Sequence, residues 1–200
     1  MVKDALPRLV VKPILMVELS NGRRALDFCP MKPGLLLAWL LFLPLAAGAA
    51  GYGDPLRPAA RVAFFGITFI DTSTEGAYDG ERPDQTARIG LLEAAVRDRF
   101  VAEGFELLAN LPVAEDLAGT VNPADCNGCE VRMAAKLGAD YVLVGEVQKV
   151  SNLILSMNLV MREVESGAMI RGQSVDIRSN TDDSWLRGLN YILKYNFFKA

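Results

Sequence analysis

Arg61-Val-Ala-Phe-Phe-Gly-Ile-Thr-Phe-Ile-Asp71 is the segment that most narrows the fold. It is an almost unbroken run of β-branched and aromatic residues, without the polar alternation of a half-exposed strand. Such a run reads as a strand buried on both faces, at the centre of a sheet. Thr72 to Pro83 is polar, contains two glycines and reads as a loop. From Asp84 to Glu103 the spacing becomes helical: Ile89, Leu92, Val96 and Phe100 form one stripe, with Arg88, Glu93, Arg97 and Asp98 opposite. Asp84 is the expected N-cap and Gly104 the residue that stops the helix.

The remaining elements follow from the same periodicities. Phe105 to Ala109 reads as a short second strand and Leu111 to Pro123 as irregular. Glu130 to Leu137 reads as a short helix with Val131, Ala134 and Leu137 inward, closed by Gly138. Asp140 to Val150 is a third strand. Leu153 to Glu165 is a fourth, in which Leu153, Leu155, Met157, Leu159 and Met161 alternate with polar residues. After a tight turn at Ser166-Gly167, Ala168 to Arg178 is a fifth strand around Ile170, Val175 and Ile177. Asp183 to Phe198 is a final amphipathic helix with Trp185, Leu189, Ile192 and Leu193 on its apolar face. The order βαβαβββα predicts an α/β (α+β) fold, a mixed sheet of about five strands with helices packed on it. The early strands should be parallel and the last three antiparallel.

Ahead of this domain stands a segment of secretory type. Lys32 gives a short positive end, Leu35 to Leu45 a compact apolar run, and Ala47-Gly48-Ala49 a small-residue cleavage site. The expected organisation takes Met31 as the true start, with 1–30 an over-called upstream extension, then a signal peptide at 31–49, a lead-in at 50–60 and one domain at 61–198. A second reading keeps 1–30 as a cytoplasmic tail and the apolar run as an anchor, but that run is short for a span of about 20 residues. No cysteine stands at the cleavage point, so lipid anchoring is not expected. The mature product would be periplasmic, with no stable membrane span after cleavage.

Composition removes several functions. A net charge of −3 lacks the basic excess of a nucleic-acid binder. The absence of histidine removes the commonest general base and metal ligand. No dinucleotide, nucleotide-phosphate, serine-hydrolase or zincin motif is present, so an enzyme is not expected.

Cys126-Asn127-Gly128-Cys129 is the sharpest local feature. In an oxidising compartment two cysteines should pair, and a structural clip across so small a loop is worth about 2 kcal/mol. The other reading is a redox pair whose thiolate is favoured by a helix N-terminus. Two thiols without further clustered ligands fall short of a metal site, and Glu130 stands where haem attachment needs histidine. No cofactor is expected. Ser151-Asn152 reads as a hairpin turn that can also present a polar contact, and Thr181 or Asp182 as a helix cap. Asp182 and Asp183 lack a third ligand for a metal role. Glu75, Asp79, Glu81 and Asp84 make the loop after the first strand acidic, at a strand end where ligands tend to bind.

Cys126-Asn-Gly-Cys129, Leu137-Gly-Ala-Asp-Tyr-Val-Leu-Val-Gly-Glu-Val147, Lys149-Val-Ser-Asn-Leu-Ile154, Val175-Asp-Ile-Arg178 and Asp182-Asp-Ser-Trp185 together resemble a bacterial family of secreted proteins filed as a domain of unknown function. The resemblance spans roughly residues 60 to 198. More distantly, the Gly-Ala-Asp-Tyr-Val-Leu-Val-Gly strand is similar to the N-terminal domain of TolB and to CsgG-like envelope proteins, α/β modules that bind partners. These likenesses imply a non-catalytic periplasmic accessory or binding domain that engages a periplasmic or envelope protein; a periplasmic quinoprotein oxidation system is one such partner. The candidate partner-binding residues are Lys149, Ser151, Asn152, Glu75 and Asp79. The alternatives are a thiol–disulfide protein using Cys126 and Cys129, and a small-ligand binder with a pocket at the strand ends.

Overall fold

In the computed structural model, which describes residues 51–199, the apolar run forms strand β1 (Arg61–Asp71). The leader expected at 31–49 and the segment before it lie outside the described residues. The sheet order is β2-β1-β3-β4-β5. β1 pairs in parallel with β2 (Glu106–Leu107) and β3 (Tyr141–Ser151). β4 (Ile154–Glu163) and β5 (Met169–Ile177) continue the sheet as antiparallel neighbours. The mixed five-strand sheet is the architecture that the element order implies.

Helices on both faces explain the lack of alternation in β1. Val62 and Phe64 point to one core with Leu92, Val96 and Phe100 of α2 (Pro83–Ala102) and Trp185 and Leu189 of α5 (Asp182–Ile192). Ala63 and Phe65 point to the other, with Val113 and with Met133 and Ala134 of α4 (Cys129–Lys136). Each large side chain buried in these layers contributes about 1.5–3 kcal/mol relative to exposure. On β4, Leu155, Met157, Leu159 and Met161 face the first core and alternate with partly exposed residues, of which Val160 packs against the second.

β2 is shorter than the predicted Phe105 to Ala109, because Phe105 turns into the core and stacks near Phe100, ring centroids 5.5 Å apart. β1 therefore has a strand partner on that side only at Arg61 and Val62. Beyond them side chains serve the backbone. Asn110 Nδ2 donates to the Phe64 carbonyl at 2.8 Å, and the Ile67 N–H donates to Glu93 Oε1 at 2.9 Å. The second bond depends on a register shift between Phe64 and Ile67, where Gly66 takes φ +87° and a Cβ would lie 2.6 Å from the same Glu93 oxygen.

Several local expectations need correction. The loop after β1 contains a helix, α1 (Thr74–Asp79), whose N-cap Ser73 accepts from the Gly76 N–H. The irregular stretch contains a 3₁₀ turn at Leu111–Val113, α3 (Ala114–Ala118) and a second 3₁₀ turn at Pro123–Asp125. Asp84 does not cap α2: Arg82 is the N-cap, Pro83 opens the helix, and Asp84 in its first turn pairs with Arg82 and Arg88. In α4 the buried residues are Glu130, Met133 and Ala134, with Val131 and Leu137 half-buried. Leu153 lies exposed in the β3–β4 turn. Thr181 caps α5 in a capping box with Ser184, and a π-helical turn, Leu193–Phe197, carries the chain on with Leu193 and Phe197 buried.

Among the described residues no helix is long and apolar enough to cross a membrane.

Candidate functional site

The chain leaves β1 through α2 on one face of the sheet to reach β2, then returns through α4 on the other face to reach β3. The strand order therefore reverses at β1, and the crevice beyond the carboxyl ends of β1 and β3 is the position where open α/β sheets bind ligands. Parallel register sets Asp71, the last residue of β1, beside Lys149 of β3.

Lys149 is fully buried. Its Nζ donates to Asp71 Oδ2 at 3.0 Å and to Glu75 Oε2 at 2.9 Å. The other Asp71 oxygen accepts from the Ser73 N–H at 2.9 Å and from the Ser73 hydroxyl. Gly76 lies so close that a Cβ there would overlap the Asp71 carboxylate. Asn152 in the turn donates to Glu75 Oε2 at 2.8 Å and accepts from Asn180 Nδ2 at 3.1 Å. Arg88 then donates to Asn180 at 2.8 Å and to Asp182 at 2.7 Å. One polar chain thus ties β1, α1, the β3–β4 turn, α2 and the start of α5 together.

Charge follows this geometry. Burial pulls the Lys149 ammonium down, but its bonds to Glu75 and Asp71 outweigh that and hold it above the usual lysine value. Burial pushes Asp71 up, yet the Ser73 hydroxyl and N–H, with Lys149, bring it below the usual carboxylate value. Lys149 and then Asn152 lower Glu75 as well.

Of the sequence candidates, Lys149, Glu75 and Asn152 come together directly. The Ser151 hydroxyl accepts from the Leu153 N–H and only shapes the turn. Asp79, at the exposed end of α1, stays outside the network. The expected acidic surface is neutralised at two of its four carboxylates, because Arg82 pairs with Glu75 and Asp84, and Arg88 with Asp84. Asp182 is likewise occupied by Arg88. Asp71, Ser73 and Arg88 are members of this network that residue patterns did not single out. Asp71 was marked only by ending the β1 run.

Beside this network lies a cavity of about 500 Å³, lined by Phe69, Asp71, Gly76, Arg82, Gln85 and Ile89 among others. Gln85 is 1% exposed, and neither its amide nitrogen nor its oxygen has a hydrogen-bond partner among the described residues.

Cys126 and Cys129 are joined as a disulfide, with Cα atoms 5.4 Å apart. Asn127 and Gly128 between them both take positive φ, +54° and +80°, which closes the four-residue ring. The Glu130 carboxylate is buried against the pair: Oε2 lies 3.2 Å from Cys126 Sγ, while Oε1 lies 3.3 Å from Arg162 Nε. A cavity of about 550 Å³ opens next to Cys126, Glu130 and Arg162.

Several solved structures are similar to this chain. The C-terminal domain of LpoB from Salmonella enterica has 17% identity and a TM-score of 0.45, covering 63% of this chain and 87% of that one. The PelC dodecamer from Paraburkholderia phytofirmans has 14% identity and a TM-score of 0.41, covering 72% of this chain and 91% of that one. TolB from Acinetobacter baumannii has 12% identity and a TM-score of 0.36, covering 74% of this chain and 30% of that one. At these identities the likeness is one of fold alone, and it includes the expected distant similarity to TolB. No curated protein matches the sequence. Residues 60–197 match a family model described as "Protein of unknown function (DUF2380)", so the chain belongs to the DUF3280 family.

Proposed function

We propose that the protein is a non-catalytic accessory domain of the bacterial periplasm that binds an envelope or periplasmic protein through the β3–β4 turn. The observation that carries this reading is an apolar tip on a rigid base. Val150, Leu153 and Ile154 are 50%, 69% and 51% exposed around Ser151-Asn152. Immediately beneath them, buried Lys149 and bonded Asn152 pin the turn to α1 and to the segment leading into α5. Exposed apolar residues rimmed by polar ones mark protein contact sites, and a pre-ordered tip loses little conformational freedom on binding. The wild-type domain should retain a defined periplasmic protein that a Leu153→Asp/Ile154→Asp variant, with an unchanged melting temperature, releases by at least about tenfold in affinity. Equal retention by both proteins would remove the turn as the contact.

A second reading is favoured by Gln85. A buried amide without partners costs about 1–3 kcal/mol, and a ligand entering the adjacent cavity with its own amide edge would supply both a donor and an acceptor. Small primary-amide ligands such as glutamine or short peptide amides should then raise the melting temperature of the wild type. Gln85→Leu should be more stable alone and insensitive to them. A wild type indifferent to every amide ligand, or a variant that still responds, rejects this use of the cavity.

A further inference from the structure

Glu130 is in an unexpected place. With Cys126 and Cys129 joined, the sulfur facing Oε2 carries no hydrogen to donate, and no other hydrogen-bond donor among the described residues reaches that oxygen. Glu130 is nonetheless only 5% exposed. Burying an acceptor against a group that cannot satisfy it is unfavourable, so the position calls for an electrophile that the oxidised pair does not supply.

We infer that reduction of the Cys126–Cys129 disulfide opens a binding site for a thiophilic divalent cation of the zinc class, with Cys126, Cys129 and Glu130 as its protein ligands. The ligand atoms of the three residues lie within 4.8 Å of one another. Tetrahedral zinc, with bonds of about 2.3 Å to sulfur and about 2.1 Å to oxygen, sets ligand sulfur and oxygen about 3.6 Å apart. The 3.2 Å between Cys126 Sγ and Glu130 Oε2 needs little adjustment to meet that. The two carboxylate oxygens are already divided between tasks. Oε2 faces the sulfurs, and Oε1 is held by Arg162 as an outer partner that fixes the ligand's orientation. Cys129 begins α4, so the helix N-terminus favours the thiolate form that a metal requires. Two thiolates and a carboxylate carry three negative charges, which balances a divalent cation beside Arg162.

The step requires a dithiol reductant. Its two thiols become a disulfide as the Cys126–Cys129 sulfur–sulfur bond breaks and each cysteine takes up a proton and an electron. Zinc binding then displaces the two thiol protons to solvent and forms two metal–sulfur bonds and one metal–oxygen bond. A water molecule reached from the adjoining cavity completes four-coordination. The oxidised chain has no such site, so occupancy reports the redox state of its surroundings. Sequence alone pointed away from a metal because only two thiols were apparent, although Glu130 adjoins Cys129 directly.

The test uses the full chain, reduced with a water-soluble phosphine and checked for retained fold by circular dichroism. Cobalt(II) and zinc(II) serve as probes. The reduced chain should take up one ion, with cobalt showing the absorption of a tetrahedral thiolate site, and the oxidised chain should take up none. Glu130→Gln should weaken zinc binding at least about tenfold, and Cys126→Ser/Cys129→Ser should abolish it. X-ray absorption of the zinc-loaded wild type should give two sulfur and two lighter neighbours, a readout that holds even if Glu130→Gln does not fold. A folded, reduced chain that binds neither ion overturns the site. So does a folded Glu130→Gln variant with wild-type affinity, or a zinc shell of four sulfurs, which would place the metal between chains.

Discussion

Replacing Trp185 with alanine is expected to remove about 3–5 kcal/mol of stability, the range for truncating a large aromatic in a core. Trp185 is fully buried where α5 meets the sheet. Its ring centroid lies 5.8 Å from that of Phe69, and the Arg88 guanidinium lies 5.2 Å from its centre. The variant therefore loses the packing of α5 and also loosens Arg88, the residue that reaches Asn180 and Asp182. Against a total stability of about 5–15 kcal/mol, the melting temperature should fall by about 10 °C or more. Trp185→Phe is the informative control. The indole N–H has no partner among the described residues, so phenylalanine sacrifices volume without breaking a hydrogen bond, and its loss should be less than half as large. Urea unfolding of the two variants measures the difference. A Trp185→Ala chain within 1 kcal/mol of wild type would mean that α5 contributes little to the fold.

Lys149→Met should cost about 3 kcal/mol at pH 7, the low end for breaking a buried ion pair by removing one partner. The low end applies because Asp71 and Glu75 keep some access to water, with side chains 14% and 33% exposed. The pH dependence has a definite sign. Asp71 and Glu75 are held below their usual values, so their contribution is complete above about pH 4, where the unfolded carboxyls have ionised. It is lost as pH falls through the lower folded values. Lys149 is raised, so its contribution is complete below about pH 10 and is lost as pH climbs through its higher folded value. Between these limits the network adds no slope. In Lys149→Met the ammonium no longer depresses the two carboxyls, so the difference from wild type should shrink between pH 5 and pH 3. Unfolding measured at pH 7, 5 and 3 decides this. A difference that stays constant into acid would show that lost packing, rather than charge, is responsible.

What the sequence conveyed reflects which interactions are local. The β1 run, the α2 stripe and the β4 alternation each record burial along a single element, and they sufficed for the mixed sheet and its strand directions. Lys149, Glu75 and Asn152 were individually visible as polar residues at strand ends. Their union was not, because it depends on the parallel register that sets Asp71 beside Lys149 across 78 positions of chain. Helix α1 was missed because no residue in it is buried, which leaves no apolar period to detect; only the Ser73 cap marked it. Glu130 was overlooked for the opposite reason. An acid beside a cysteine reads as solvated until the fold buries it between the disulfide and Arg162.

Asn110 and Glu93, described as partners for the free side of β1, also decide how other chains can approach. By occupying the Phe64 carbonyl and the Ile67 N–H, they take the groups that an incoming strand would need for β-augmentation. The opposite margin is treated in the same way: along β5, the Gly53 N–H donates to the Ile170 carbonyl and the Tyr52 hydroxyl to the Gly172 carbonyl. Both borders of the sheet are thus blunted against templated growth, which protects a domain built on so apolar a strand from edge-to-edge aggregation. On the proposed function, recognition would fall to side chains at the end of the sheet, where specificity can change without altering the hydrogen-bonded framework.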